Sequence, residues 1–168
     1  MITNDVIRRI RFALDLNDQT VLEIFELAGK KVGAGELMAY FRKEDEDGFI
    51  ECPQSLFTAF LDGLILKNRG PREEKPGASA SAAKLASLQK PEKLTNNQIL
   101  KKLRIALELQ EDDMLNVFEK GEFPVSKAEL SALFRKEGHR NYKPCGDQGL
   151  KKFLNGLTAK YRGIKPEK

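Results

Sequence analysis

The sequence has no tryptophan, one histidine and only two cysteines among 168 residues. Two cysteines are too few for the disulfide framework of a small secreted domain, so we expect a reducing compartment. One histidine and two distant cysteines also lack the four-ligand spacing of a structural zinc site. No apolar run is long enough to span a membrane, and the N-terminal residues lack a signal-peptide pattern. These absences predict a cytoplasmic protein without a membrane segment or a structural metal.

The motifs of the common enzyme classes are also missing. The sequence contains no glycine-rich phosphate loop, no dinucleotide fingerprint and no pair of carboxylates at catalytic spacing. We therefore expect no cofactor, no catalytic residues and a role in binding rather than in catalysis.

What the sequence does contain is a tandem duplication with an offset of 93 residues. Residues 1–70 align with residues 94–163 without a gap, and about 24 of the 70 aligned positions are identical. Such a match indicates a duplicated supersecondary unit. A unit of this length is close to the lower size limit for an independent core. Two small cores are therefore favoured, with each unit either just stable alone or packed on the other.

Each copy shows the hydrophobic periodicity of four helices, and no alternating strand pattern competes with it. Thr3 and Asn4 are candidate N-caps of the first helix. Ser126 and Glu129 form a capping box at the start of the third helix of the second copy. The prediction is an all-α protein of two homologous four-helix units in tandem, joined by a Pro/Ala/Ser-rich linker.

The domain boundaries follow from this pattern. They place the first helical repeat at 1–70, a flexible linker at 71–93, the second helical repeat at 94–163 and a tail at 164–168.

One feature does not suit a simple surface helix, because Phe12 lies on the side of the first helix opposite its apolar face. We predict that this helix is central in its bundle or contacts the other copy.

The net charge of +4 is unevenly distributed along the chain. Residues 1–70 carry 9 basic and 12 acidic side chains, a net charge of −3. Residues 94–168 carry 15 basic and 10 acidic side chains, a net charge of +5. Any interaction with a polyanion is therefore expected in the second repeat.

The two copies diverge most in an irregular segment before the last helix. In the second copy this segment is rich in hydrogen-bonding groups, whereas the first copy has Glu46 in place of the histidine. The candidate interaction loop consists of His139, Asn141, Tyr142, Cys145, Asp147 and Gln148.

Two chemical roles, catalysis and zinc binding, are less favoured for this loop than the binding of a partner. A nucleophilic Cys145 would need His139 to activate it, yet the first copy keeps the cysteine without the histidine, which favours a shared packing position. Asp147 precedes the last helix and is expected to cap it. Neither catalysis nor zinc binding is therefore predicted for the loop.

Four blocks of this region match a known family. They are Phe-Arg-Lys at 134–136, His-x-Asn-Tyr at 139–142, Cys-Gly-Asp-Gln at 145–148 and Phe-Leu-x-Gly-Leu at 153–157. Together with the opening Asn-Asp-Val-Ile-Arg-Arg-Ile-Arg-Phe-Ala-Leu-Asp-Leu, they resemble the bacterial YehS-like family. The resemblance covers both copies and implies a tandem of a domain of unknown function in a bacterial cytoplasm, but it implies no activity.

Two functions are therefore considered. The first is a non-enzymatic module that contacts a protein partner through the second-repeat loop. The alternative is nucleic-acid binding through a basic surface of the second repeat, although lysines of this kind also form the ordinary solvated surface of helical proteins. The residues of that surface are Lys101, Lys102, Arg104, Arg135, Lys136, Arg140, Lys143, Lys151 and Lys152. The second and third helices of the second repeat are similar to a helix-turn-helix, but the turn between them is too long.

Overall fold

The structure is a computed structural model that describes residues 3–69, 93–136 and 138–163. These ranges contain eight α-helices and no strand, which confirms the all-α prediction. The helices are α1 (Thr3–Leu14), α2 (Asp18–Leu27), α3 (Ala34–Tyr40), α4 (Gln54–Arg69), α5 (Asn96–Ala106), α6 (Glu111–Lys120), α7 (Lys127–Leu133) and α8 (Asp147–Arg162). Apart from Lys93, the predicted linker at 71–93 lies outside the described residues, as does the tail at 164–168.

The residues predicted to cap the helices agree with the structure at one helix and differ at two others. The capping box at the start of α7 is confirmed, because the Ser126 hydroxyl accepts from the Glu129 N–H at 3.1 Å. The predicted N-caps Thr3 and Asn4 are wrong, since both residues are buried inside α1. Asp147 is also not a cap: it is the first residue of α8, and Gly146 holds the cap position.

The two repeats interlock instead of forming separate bundles. Helix α1 packs mainly against α8 of the other repeat, and α4 packs in the same way against α5. Within each repeat, the closest packing is between α2 and α4 or between α6 and α8. The buried side chains of both repeats form one continuous hydrophobic core. The expectation of two small cores is therefore wrong, because each repeat supplies only part of the packing surface that its first and last helices need.

Several polar contacts between the repeats occur in pairs that differ by the same offset of 93 residues. Arg9 donates to the side-chain oxygen of Asn155 at 3.0 Å, and Lys102 donates to Asp62 at 2.5 Å. Because each pair joins equivalent positions with the repeats exchanged, the two repeats are related by an approximate twofold axis.

The predicted contact of the first helix with the other copy is confirmed at Phe12. The Arg162 guanidinium lies 4.3 Å from the centroid of the Phe12 ring and donates to the Phe12 carbonyl at 3.0 Å. In the equivalent contact, Arg69 donates to the carbonyl of Ile105 at 3.4 Å. Cation–π contact and backbone hydrogen bonding therefore account for an aromatic side chain on the outer face of α1.

Two equivalent glycines bring helix backbones into direct contact. A Cβ atom at Gly63 would lie 2.0 Å from the carbonyl oxygen of Ile24, and one at Gly156 would lie 1.9 Å from that of Val117. Helices α2 and α4 therefore cross at a distance that only glycine permits, and α6 and α8 do the same.

Candidate functional site

The loop between α7 and α8 is held by one buried side chain from α5. The Asn97 amide donates to the carbonyls of Leu133 at 2.8 Å and Lys143 at 2.9 Å. Its oxygen accepts from the Cys145 N–H at 2.8 Å. These three bonds replace a strand or helix ladder for the loop backbone, so the loop has a defined path despite its irregular structure.

The first repeat uses the same device. The Asn4 amide donates to the carbonyls of Tyr40 at 3.0 Å and Ile50 at 2.8 Å, and its oxygen accepts from the Cys52 N–H at 2.8 Å. The sequence interpretation missed this role. The available signal was an identical asparagine in both copies, next to the apolar positions of the first helix.

Replacing Asn97 with alanine is expected to lower the free energy of unfolding by about 2–3 kcal/mol, because two carbonyls and one N–H lose their partners at a largely buried position. Urea unfolding followed by circular dichroism measures the change. Asn116→Ala is the matched control, since Asn116 is exposed on α6 and alanine there should be neutral or slightly stabilising. Equal stability of the Asn97→Ala variant and the unsubstituted protein would contradict the assigned role.

The predicted interaction loop lies on the surface, with His139, Asn141 and Gln148 exposed and Tyr142 half-buried. The His139 ring accepts from the Asn141 N–H at 3.0 Å, and the His139 carbonyl accepts from the Tyr142 N–H at 2.9 Å. His139 therefore stabilises a local turn, which presents the Asn141 side chain to solvent.

The predicted loop residue Cys145 is half-buried beside Phe123 and Pro144 in a small apolar cavity. Burial, with a further contribution from the charge of Asp147, raises the pKa of the Cys145 thiol to about 11. The pKa of Cys52 is raised to about 12, again mainly by burial. Both thiols are therefore neutral at physiological pH, which is unfavourable for a nucleophile.

Asp147 joins the loop to the start of α5. The Asn96 amide donates to the Asp147 carboxylate at 2.9 Å, and this bond lowers the pKa of the carboxyl group. Asn96 also donates to the carbonyl of Cys145 at 3.0 Å. Within the described ranges, no group of three or more His, Cys, Asp or Glu side chains is placed to hold a metal ion.

Several cations of the predicted basic surface have structural partners. Lys102 pairs with Asp62 of the other repeat, as described above, and Lys143 pairs with Glu129 at 3.4 Å. Arg104 donates to the carbonyl of Leu109 at 3.2 Å and lies 4.9 Å from the ring centroid of Phe134.

The role of Arg104 is common to both repeats. Its counterpart Arg11 donates to the carbonyl of Leu16 at 3.1 Å and lies 4.6 Å from the ring centroid of Phe41. Arg104 therefore stabilises the turn after α5, in the way that Arg11 stabilises the turn after α1. The same pair of contacts in the acidic repeat favours a structural role for Arg104 over polyanion binding.

The remaining cations are distributed over α5, α8 and the segment that follows α7. Lys101 lies on α5, and Lys151 and Lys152 lie half-buried on α8. Arg135 and Lys136 follow α7, and Arg140 lies in the loop; all three are exposed and have no ion-pair partner among the described residues. The structure therefore brings only the cations at the end of α7 together with the interaction loop.

An open, shallow cleft of about 410 Å³ lies between α7 and the loop. Ser131, Arg135, Asn141 and Lys143 line it, together with other α7 residues. We name the surface around this cleft the second-repeat face and define it by Arg135, Lys136, Arg140, Asn141 and Lys143. It combines exposed guanidinium, ammonium and amide donors on a backbone that Asn97 holds in place.

Comparison with known proteins agrees with the duplicated structure. A family model described as "Protein of unknown function (DUF1456)" matches residues 3–70 and again residues 96–163. The uncharacterized protein YehS of Escherichia coli (strain K12) is 38% identical over 160 residues, which are 95% of this chain and 96% of that protein. No solved structure matches significantly. Among the described residues, no helix has the length and apolar character needed to cross a membrane.

The two family matches coincide with the two interlocked repeats, and the relative is similar along nearly its whole length. The chain therefore belongs to the DUF1456 family.

Proposed function

We propose that the protein is a non-enzymatic binding protein whose second-repeat face binds an acidic surface of a protein partner. The observation that carries the proposal is the cluster of Arg135, Lys136 and Arg140, which are exposed and lack a counter-ion among the described residues. Asn97 fixes the backbone on both sides of these residues, at Leu133 and at Lys143 and Cys145, before a partner binds. Preorganisation of this kind lowers the entropic cost of binding.

The size of the face favours a protein over a nucleic acid. Proteins that bind duplex DNA neutralise several phosphates along the backbone, commonly about 6–10. Lys102 and Arg104 are engaged in structural contacts, which leaves the exposed cations at 135, 136 and 140, close together in sequence, as a compact group. A compact group suits a short acidic segment, where electrostatic complementarity gives specificity and fast association.

The chemistry of the loop also supports binding. The raised pKa of the Cys145 thiol keeps it neutral, and no described residue activates it. The exposed Asn141 side chain, in contrast, is available for hydrogen bonds at the edge of the cleft.

The test is fluorescence anisotropy of a labelled peptide rich in Glu and Asp, with labelled duplex DNA and single-stranded RNA in parallel. Titrations with the full chain at about 50 and 200 mM salt distinguish binding to nucleic acid from binding to the peptide. Phosphate-dominated binding falls by orders of magnitude over this range. We expect peptide binding that weakens about tenfold or more in the triple variant Arg135→Glu, Lys136→Glu, Arg140→Glu, because truncating or reversing paired charges costs over 1 kcal/mol.

The matched control is Lys30→Glu, Lys31→Glu, Lys120→Glu, which changes the net charge equally at exposed positions outside the face. Equal weakening in both variants would show a non-specific charge effect and overturn the proposal. Nucleic acid that binds more tightly than the peptide, and is released by the face substitutions, would establish the alternative.

A further inference from the structure

The first repeat carries a surface at the position equivalent to the second-repeat face. We name it the first-repeat face and define it by Met38, Ile50 and residues 42–47. Met38 replaces Ser131 and is 56% exposed; Ile50 replaces Lys143 and is 51% exposed. Large apolar side chains so exposed on neighbouring elements, next to charged residues, are typical of an interaction surface.

The backbones of the two faces are held in the same way. The Ile50 N–H donates to the carbonyl of Ala39 at 3.3 Å, and the equivalent Lys143 N–H donates to that of Ala132 at 3.1 Å. The carbonyls of Ile50 and Lys143 accept from the buried asparagines described above. The two faces therefore present different side chains from equivalent scaffolds.

The sequence segments that carry the two faces have equal and opposite net charges. Residues 42–51 contain two basic and five acidic side chains, a net charge of −3. The equivalent residues 135–144 contain four basic and one acidic side chain, a net charge of +3 with the histidine neutral. The duplication has thus produced one acidic face with an apolar pair and one basic face within the same chain.

We infer that the first-repeat face binds the second-repeat face of a second copy of this chain. The inference rests on the proposed function, since it names the partner of that same basic face. The second copy is favoured because its basic face matches the acidic face in charge. The contact would also cover Met38 and Ile50, which are otherwise exposed to water.

The geometry determines the kind of assembly. A contact between two different faces is heterologous, so a pair of copies joined by one contact still presents one free acidic face and one free basic face. Copies therefore add head to tail, into a closed ring where the rotation between copies closes and otherwise into an open chain. Because exposed ion pairs contribute much of the contact, the assembly should be weakened by salt.

Sedimentation velocity of the full chain tests this inference. At about 50 mM salt we expect the sedimentation coefficient to rise with protein concentration up to about 0.5 mM, and at about 500 mM salt to return to the monomer value, as screening removes surface attraction. Two charge-reversed variants make the test specific. The first is Glu44→Lys, Asp45→Lys, Asp47→Lys, which leaves the bond of Glu46 to the Lys43 N–H intact. The second is the Arg135, Lys136 and Arg140 triple variant used above.

Each variant has two faces of like charge, so each alone is expected to remain monomeric. An equimolar mixture restores complementary faces and is expected to associate as the unsubstituted chain does. Circular dichroism of each variant checks that the fold is retained.

A chain that stays monomeric at about 0.5 mM and low salt overturns the inference, because surface attraction is strongest under those conditions. So does a mixture of the two variants that fails to associate. Peptide binding in the anisotropy experiment separates the two proposals, since self-association can fail while the second-repeat face still binds acidic peptide.

Discussion

Separate expression of residues 1–70 and 93–168 is expected to abolish the monomeric fold of both halves. Helix α1 has its main partner in α8, and α5 has its main partner in α4, so each half alone exposes part of the shared core. A half of this length buries too little apolar surface to offset such a loss. Far-ultraviolet circular dichroism and analytical ultracentrifugation of each half measure the outcome.

Mixing the two halves is the positive control, and we expect it to restore helical signal and a cooperative thermal transition. Any folded state of a single half should be a dimer, because a second copy can supply the missing helices. In a first-repeat dimer, Arg9 of one copy would face Asp62 of the other. A half that folds cooperatively as a monomer would contradict the interlocked core.

Replacing Gly156 with alanine is expected to lower the free energy of unfolding by about 3 kcal/mol, because the added Cβ forces α8 away from α6. The obstacle is the carbonyl oxygen of Val117, a backbone atom that moves only with its helix. Gly63→Ala is expected to have the same effect through Ile24. Urea denaturation with a linear extrapolation provides the measurement.

Gly35→Ala is the matched control for these substitutions. Gly35 lies in α3, and a Cβ atom there would meet no atom within 4 Å. Alanine at that helical position should stabilise the protein by about 0.5–1 kcal/mol, because it restricts the unfolded chain. If Gly156→Ala were as stable as Gly35→Ala, the close crossing of α6 and α8 would be wrong.

Secondary structure was largely predictable from this sequence. Periodic apolar residues and the Ser126 capping box depend on neighbours within one or two turns, and they predicted the helices of both repeats correctly. The N-terminal residues of α1 were predicted less well. Thr3 and Asn4 resemble caps in sequence, yet their side chains bond to Ile50 and Cys52, in a loop more than 40 residues away.

The candidate site was predictable only in part. Divergence between the copies located the loop from His139 to Gln148, and the structure places most of these side chains on the surface. The composition of the basic surface was harder to predict. A lysine such as Lys102 that pairs with another repeat has the same sequence appearance as a free one.

The sequence by itself determined the duplication, the helices and the opposite charges of the two repeats, because these follow from composition and from local spacing. Only the tertiary structure decided that the repeats share one core, that Arg104 is structural, and that Met38 and Ile50 are exposed on an acidic face. The reason is physical: a helical apolar face shows that a helix must be buried, but it does not specify which helix buries it. That choice depends on close crossings such as the one at Gly156 and on contacts between distant residues.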